Sequence, residues 1–374
     1  MNFNTLMRNR EYRYRVTIGP KLVATAWLRY QLMRTRVAYW PAFRKCKTRK
    51  STANLLVELV ALTLKWRCIP FHYMRYGLYD RRVRFNEIFG YLPETVLYYR
   101  ILPAINTETV LLDDKLVCKN ILTAAGIPQP ALIAYGNGKK WFDTKGLPIG
   151  TEKLNTLISQ HQQVVIKPSQ YSSGGEGVHI LKFVNGNVCN QDGSTFSASR
   201  YSLLYGSAII EEFVAQSSFM NELHSASVNT IRTITTFNEL HEPSVRYCIL
   251  KLGRGDQPAD NAHVGGLYLA MDIETGALAP QAYDESFSVH RVHPENGVRF
   301  EGRKLDSIHE LVGIAKRCAA LFPEVPYIGW DIAITEDGPV IIEGNSSPGL
   351  TNIQRTHGGV AGELRKYLPK PNSG

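Results

Sequence analysis

Near the C-terminus, two acids sit inside runs of residues that otherwise read as buried β-strands. The segment Tyr327-Ile-Gly-Trp-Asp-Ile-Ala-Ile-Thr-Glu-Asp-Gly-Pro-Val-Ile-Ile-Glu-Gly-Asn345 has the shape of a hairpin, with Asp331 between Trp330 and Ile332 and Glu343 between Ile342 and Gly344. A buried carboxylate without a partner is costly, so each acid needs a cation or a donor. Strand alternation puts Asp331 and Ala333 on one face, and Ile341, Glu343 and Asn345 on one face of the return strand. Whether those faces coincide depends on the turn. A two-residue Asp-Gly loop would set Asp331 on the far side, whereas a three-residue Glu336-Asp337-Gly338 loop with Gly338 left-handed pairs Asp331 with Glu343. The three-residue loop is the expectation. Two carboxylates and an amide oxygen then converge, a hard oxygen set suited to Mg²⁺ shared with phosphates.

Three upstream segments fit the same chemistry. Val164-Val-Ile-Lys167 is an apolar strand closed by a lysine, and Ser172-Ser-Gly-Gly-Glu-Gly177 follows it. Glycines at 174, 175 and 177 allow backbone N–H groups to approach phosphate oxygens, and Lys167 adds charge. Ala208-Ile-Ile-Glu-Glu-Phe-Val214 is an apolar strand ending in paired acids. It reads either as a strand end with solvated carboxylates or as a hinge whose backbone meets an adenine edge. Arg232 opens the strand after Ser227-Val-Asn-Thr-Ile, an expensive place for a guanidinium unless it meets an anion. A phosphate is one such anion, and an internal carboxylate is the other.

Charge divides the chain. Residues 1–100 hold 20 Lys and Arg against 5 Asp and Glu, in a chain of net charge +10, so the remaining residues are net acidic. Aromatic residues such as Tyr12, Trp27, Trp40 and Trp66 are interleaved with the basic ones. The pattern suits an anionic membrane surface or an acidic glycan, or else arginine stems covering an apolar core. Nucleic acid is disfavoured, since no binding motif accompanies the charge. The clustered charges are Arg44, Lys45, Lys47, Arg49 and Lys50. The apolar run Leu55–Leu64 is interrupted by Glu58 and too short to span a bilayer. Residues Met1–Pro20 lack a signal-peptide core, and the six cysteines show no CxxC spacing. These features predict reduced thiols in a cytoplasmic protein, one that could work at the inner membrane face.

The periodicity predicts two or three helices over residues 20–70 and patchy helix to about 100. A helix capped at Asn106–Thr109 should run through Lys115 to Ala125, where Gly126 and Pro128 end it. Strands follow at Ala131–Tyr135, Val164–Lys167, Val178–Phe183, Ala208–Phe213, Thr230–Phe237, Ser244–Leu252 and Leu267–Ile273, then a helix at Leu305–Leu321 and the hairpin. Lys370–Gly374 reads as a frayed tail.

The order Asp114-Lys115, Lys167 before a glycine loop, Glu211-Glu212, then Asp331 with Glu343-x-Asn345 resembles the ATP-grasp superfamily. The strings Phe71-His-Tyr-Met-Arg-Tyr-Gly-Leu-Tyr79, Ser227-Val-Asn-Thr-Ile-Arg232, Asp260-Asn-x-x-x-Gly-Gly266, His293-Pro-Glu-Asn-Gly297 and Gly329-Trp-Asp331 are similar to those of its sugar-transfer associated subfamily. The resemblance implies an α+β ATP-grasp fold, two lobes gripping Mg-ATP, over 105–374, after a basic and mainly helical region at 1–104. The smaller lobe would span about 160–214 and the C-terminal lobe about 215–368. Lys115 and Lys167 would bind the ATP phosphates under a flap of Gly174, Gly175 and Gly177. Glu211, Glu212, Phe213 and Val214 would hold adenine, and Asn229 stands near the ribose position. Arg232 and Lys251 are assigned to catalysis, Asn261, His263, Gly265 and Gly266 to substrate, and Asp331, Glu343 and Asn345 to one or two Mg²⁺ ions.

The activity implied is ligation of a carboxylate, small or on a glycan, to an amine through an acyl phosphate. A polysaccharide-building role follows by analogy. The rivals are a ligase making a small peptide-like product and a non-catalytic nucleotide-binding scaffold.

Overall fold

Two seven-stranded antiparallel sheets, each with its own apolar core, make up the unit Glu108–Ser346. The structure is a computed structural model that describes residues 28–33, 35–170, 175–255, 265–286 and 288–368. The expected frayed tail lies outside the described residues.

The first sheet contains β1 (Leu132–Asn137), β2 (Trp141–Asp143), β3 (Pro148–Ile149), β4 (Gln163–Pro168), β5 (His179–Val184), β6 (Asn187–Asn190) and β7 (Ser207–Glu212). They lie in the order β3-β2-β1-β7-β4-β5-β6. Alternate residues Val164, Ile166, Leu181, Ala208 and Ile210 fill its core. Because β1 pairs with β7 from Leu132 to Asn137, the smaller lobe begins before residue 160. The expected boundary missed β1 to β3, whose strands are short and mixed in polarity.

The second sheet contains β8 (Thr230–Phe237), β9 (Pro243–Leu252), β10 (Leu267–Met271), β11 (Ala282–Tyr283), β12 (Val289–His290), β13 (Ile328–Thr335) and β14 (Gly338–Asn345). Its order is β12-β11-β10-β9-β8-β13-β14. The helix Ile308–Ala320 buries Leu311, Ile314, Ala315 and Cys318 in the same core as Trp330, Ile332 and Ile341. That sets one face of the hairpin into the core and leaves Asp331 and Glu343 for the other.

The expected helix over 106–125 is broken. Val110–Asp113 forms one turn, and α1 (Lys115–Ala124) starts afresh behind Asp114. The Asp114 carboxylate accepts from the N–H groups of Leu116 and Val117, a strong N-cap that restarts the helix with Lys115 in its first turn. The Lys115 N–H also donates to the Ser169 carbonyl at 2.8 Å, tying the start of α1 to the end of β4.

The other unit comprises the residues up to Thr107 together with those from Ser347 on, so the C-terminal segment leaves the lobe expected to extend to 368. The reason is polar pairing. Gln354 accepts from the Leu92 N–H at 2.7 Å and donates to the Leu92 carbonyl at 2.9 Å. Arg75 is buried against Glu94, and Thr351 hydrogen-bonds to both. Much of the family string Phe71–Tyr79 is core here: Tyr73 donates to Glu58, and His72, Tyr76 and Leu78 are buried. Among the described residues no helix is long and apolar enough to cross a membrane.

Candidate active site

Three neighbouring strands put the charged groups in a row. Arg232 on β8 stands opposite Asp331 on β13, and Asp331 stands opposite Glu343 on β14. Residues directly opposed in an antiparallel ladder share a face, so the three side chains emerge together. The Arg232 guanidinium grips Asp331 with two bonds, Nε to Oδ1 at 2.6 Å and Nη2 to Oδ2 at 2.8 Å. Lys251 on β9 brings its Nζ to 3.3 Å from Oδ1. Burial opposes the Asp331 charge, but Arg232 and Lys251 outweigh it and hold the carboxyl well below the usual carboxylate range. The Glu343 carboxyl lies within hydrogen-bonding reach of Asp331. The Asn345 amide donates to Glu343 Oε1 and to the Gly329 carbonyl, each at 3.3 Å.

The register reached by the hairpin is the expected one, but the route differs. Thr335 pairs with Gly338, so the loop has two residues, Glu336 and Asp337, and not three. Continued regularly, that turn would oppose Asp331 to Ile342. The ladder shifts between Asp331 and Ile332, leaving Ile342 as an extra residue, and Asp331 meets Glu343. The bulge also corrects the alternation. Ile341 is in the core with Ile332, while Glu343 joins Asp331 on the site face. Gly338 is left-handed as expected, at φ 110°, but as a paired strand residue.

A lysine-rich pocket adjoins this row, lined by Lys115, Lys119, Lys167, Ile209, Ile342 and Glu343 among others. Lys167 reaches across from the first sheet, with Nζ 2.5 Å from Glu211 Oε1 and 3.2 Å from the Ile342 carbonyl. The bulge residue therefore contributes an acceptor. Lys119 sits 3.1 Å from Glu211 Oε2 and donates to the Pro130 carbonyl at 2.5 Å. Lys119 was not anticipated from the sequence, although its i,i+4 spacing from Lys115 places both on one helix face. Burial lowers the pKa of both Lys115 and Lys119, and the charge of Lys167 adds to the effect. Lys119 and Lys167 thus share the Glu211 carboxylate, while Glu343 is the largest charge influence on Lys115.

Not every expected residue faces this site. Glu211 turns inward, its carboxylate ion-paired with Lys119 and Lys167. Glu212 is exposed, 3.6 Å from His161, and Phe213 and Val214 follow β7 half-buried. Asn229, expected near the ribose position, is built into the fold. It is fully buried, its Nδ2 donates to Gln216, Met220 and His224, and its Oδ1 accepts from the Gly253 N–H. Those bonds fix the end of β9. His293 supports the same place, with Nε2 3.1 Å from the Gly253 carbonyl and its ring stacked on His224. Glu295 accepts from the Gly255 N–H at 2.6 Å. The His293-Pro-Glu-Asn-Gly297 string, given no role by sequence reasoning, thus anchors Gly253 and Gly255 after the end of β9. Gly265 is left-handed, and Gly266 is buried where β10 begins. Asn261, His263 and Gly174 lie outside the described residues. Gly175 and Gly177 are both left-handed, and a Cβ on Gly177 would come within 2.7 Å of Pro168.

A family model for sugar-transfer associated ATP-grasp proteins matches residues 98–366. The chain belongs to this family. Its fold is accordingly the ATP-grasp fold, with the two sheets as the gripping lobes. Among solved structures, the ATP-grasp ligase PsnB with its minimal precursor is similar at 13% identity and TM-score 0.40, covering 70% of this chain and 63% of that one. The D-alanine-D-alanine ligase of Coxiella burnetii is similar at 11% identity and TM-score 0.41, covering 69% and 57%. The ADP complex of purK, an N5-carboxyaminoimidazole ribonucleotide synthetase, is similar at 12% identity and TM-score 0.39, covering 66% and 51%. The chain thus spans less than two thirds of the length of these proteins. No curated protein sequence matches it.

The donor set of this ATP-grasp chain fits a magnesium ion. Buried Asp331 and half-buried Glu343, within hydrogen-bonding reach of each other, repel when both are ionised, and a hard divalent cation relieves that repulsion. Asp331, Glu343 and Asn345 are the residues that would hold it.

Proposed function

We propose that the protein is an ATP-dependent carboxylate–amine ligase. The observation that carries the reading is the row Arg232, Asp331 and Glu343 beside the pocket of Lys115, Lys119 and Lys167. Phosphoryl transfer needs positioning and charge stabilisation more than a protein nucleophile, and the site offers that combination. The lysines bind the ATP phosphates through charge-assisted hydrogen bonds. Arg232 and Lys251 stabilise the phosphoryl group in transfer. Magnesium, when bound, neutralises phosphate charge.

A carboxylate oxygen of the acceptor attacks the γ-phosphorus, and the bond to ADP breaks. The resulting acyl phosphate is attacked at carbon by an amine, which loses a proton as inorganic phosphate departs. The family's sugar-transfer association, together with the basic N-terminal region, supports a sugar or glycan carboxylate as the acid, in polysaccharide assembly at the cytoplasmic face of a membrane.

Product analysis tests this reading. Incubation with ATP, Mg²⁺, pooled uronic acids and amines should release ADP and phosphate, and hydroxylamine should trap the activated acid as a hydroxamate. Formation of AMP and pyrophosphate would replace the acyl-phosphate route by adenylation.

A further inference from the structure

The helix Thr52–Trp66, the longest among the described residues of its unit, is built inside out. Its inward face carries Glu58, Leu62 and Trp66, all buried. Glu58 is held by Lys50 at 2.8 Å and by the Tyr73 hydroxyl. Its outward face carries Leu56, Val57, Val60 and Leu64, exposed by 60, 59, 58 and 74%. At 100° per residue these four fall within one arc of about 100°. A helix that spends a buried ion pair inside while showing a continuous aliphatic stripe outside is placed for a partner.

Charge says which partner. Arg44, Lys45, Lys47 and Arg49 are exposed in the stretch leading into the helix, and Arg67 is exposed at its end. Lys50 does not belong to that set, because it is buried on Glu58. An aliphatic stripe on a helix preceded and followed in sequence by exposed basic residues suits the interface of an anionic bilayer, where the stripe enters the acyl boundary and the cations meet headgroup phosphates and carboxylates. A second copy of the chain would bring like charges together at the rim.

We propose that this helix docks the protein peripherally on an anionic membrane surface through Leu56, Val57, Val60 and Leu64. The proposal deepens the reading that the acceptor is built at a membrane, but its test does not depend on ATP chemistry.

The full chain is floated with vesicles of 70% phosphatidylcholine and 30% phosphatidylserine, and with pure phosphatidylcholine. Binding should favour the anionic vesicles and weaken steeply between low and high salt. The double variant Leu56→Asp/Leu64→Asp should bind them at least about 10-fold more weakly. Its ATP turnover on soluble substrates and its Tm should stay unchanged. The single variant Val60→Trp, chosen as a mild reporter, should show a blue-shifted emission on anionic vesicles only. Equal binding by the aspartate variant would overturn the proposal. So would concentration-dependent dimerisation that the variant abolishes, or absent flotation together with a lowered Tm, which would mean that other parts of the chain cover the stripe. Loss of ATP turnover in every form, with flotation intact, would instead remove only the ligase reading.

Discussion

Asp331 is the residue on which stability and chemistry meet. Two cations hold it ionised in the folded chain, against the pull of burial. Its folded pKa is depressed, so its contribution to stability is complete above the unfolded value of about 3.9 and is lost as pH falls through the folded one. Urea unfolding of the wild type should therefore weaken below about pH 4 more steeply than that of Asp331→Asn. At neutral pH the same substitution leaves Arg232 and Lys251 facing each other without their carboxylate. A cost of about 2–4 kcal/mol is expected, discounted from a fully buried pair because Arg232 is partly exposed. An Asp331 variant thus confounds lost turnover with lost stability. Glu343 is half-buried, bonded by the Asn345 amide, and gives the cleaner metal test. Lys119 and Asn229 show what residue types alone leave open. A lysine on a helix is ordinary until the fold turns it onto Glu211, and a buried asparagine looks like a ligand until its neighbours satisfy it.

At the scale of elements, the long central strands and the helix Ile308–Ala320 were legible because their apolar period is strong. Thr230–Phe237 was read to the residue. The hairpin register was legible and its mechanism was not: a bulge at Ile342 did what a longer turn was expected to do. Bulges leave little trace in an apolar run, since Ile341 and Ile342 look alike until one enters the core and the other offers its carbonyl to Lys167. The break before α1 was hidden for a related reason, because Asp114 could have been a mid-helix residue. It acts instead as the cap that positions Lys115 and Lys119. Asp114→Ala should cost about 1 kcal/mol in chemical denaturation and raise the KM for ATP, with kcat affected less. An unchanged KM would mean that the cap is structural only.

For the molecule as a whole, the basic excess near the N-terminus was legible as charge but not as architecture. Part of it is internal, in the Lys50–Glu58 and Arg75–Glu94 pairs, and part is exposed just before the helix Thr52–Trp66. The grouping of residues from 347 on with the N-terminal unit was not legible, because it rests on tertiary pairs such as Gln354 with Leu92. The central proposal is that Asp331, Glu343 and Asn345 hold a magnesium ion together with nucleotide phosphates. Calorimetric titration with the non-hydrolysable analogue AMPPNP, with and without Mg²⁺, tests it on the wild type and on Glu343→Gln. The wild type should bind the analogue at least about 10-fold more tightly with Mg²⁺, whereas Glu343→Gln should keep its Tm and lose most of that difference. A Glu343→Gln protein with the same Mg²⁺ dependence as the wild type would contradict the account.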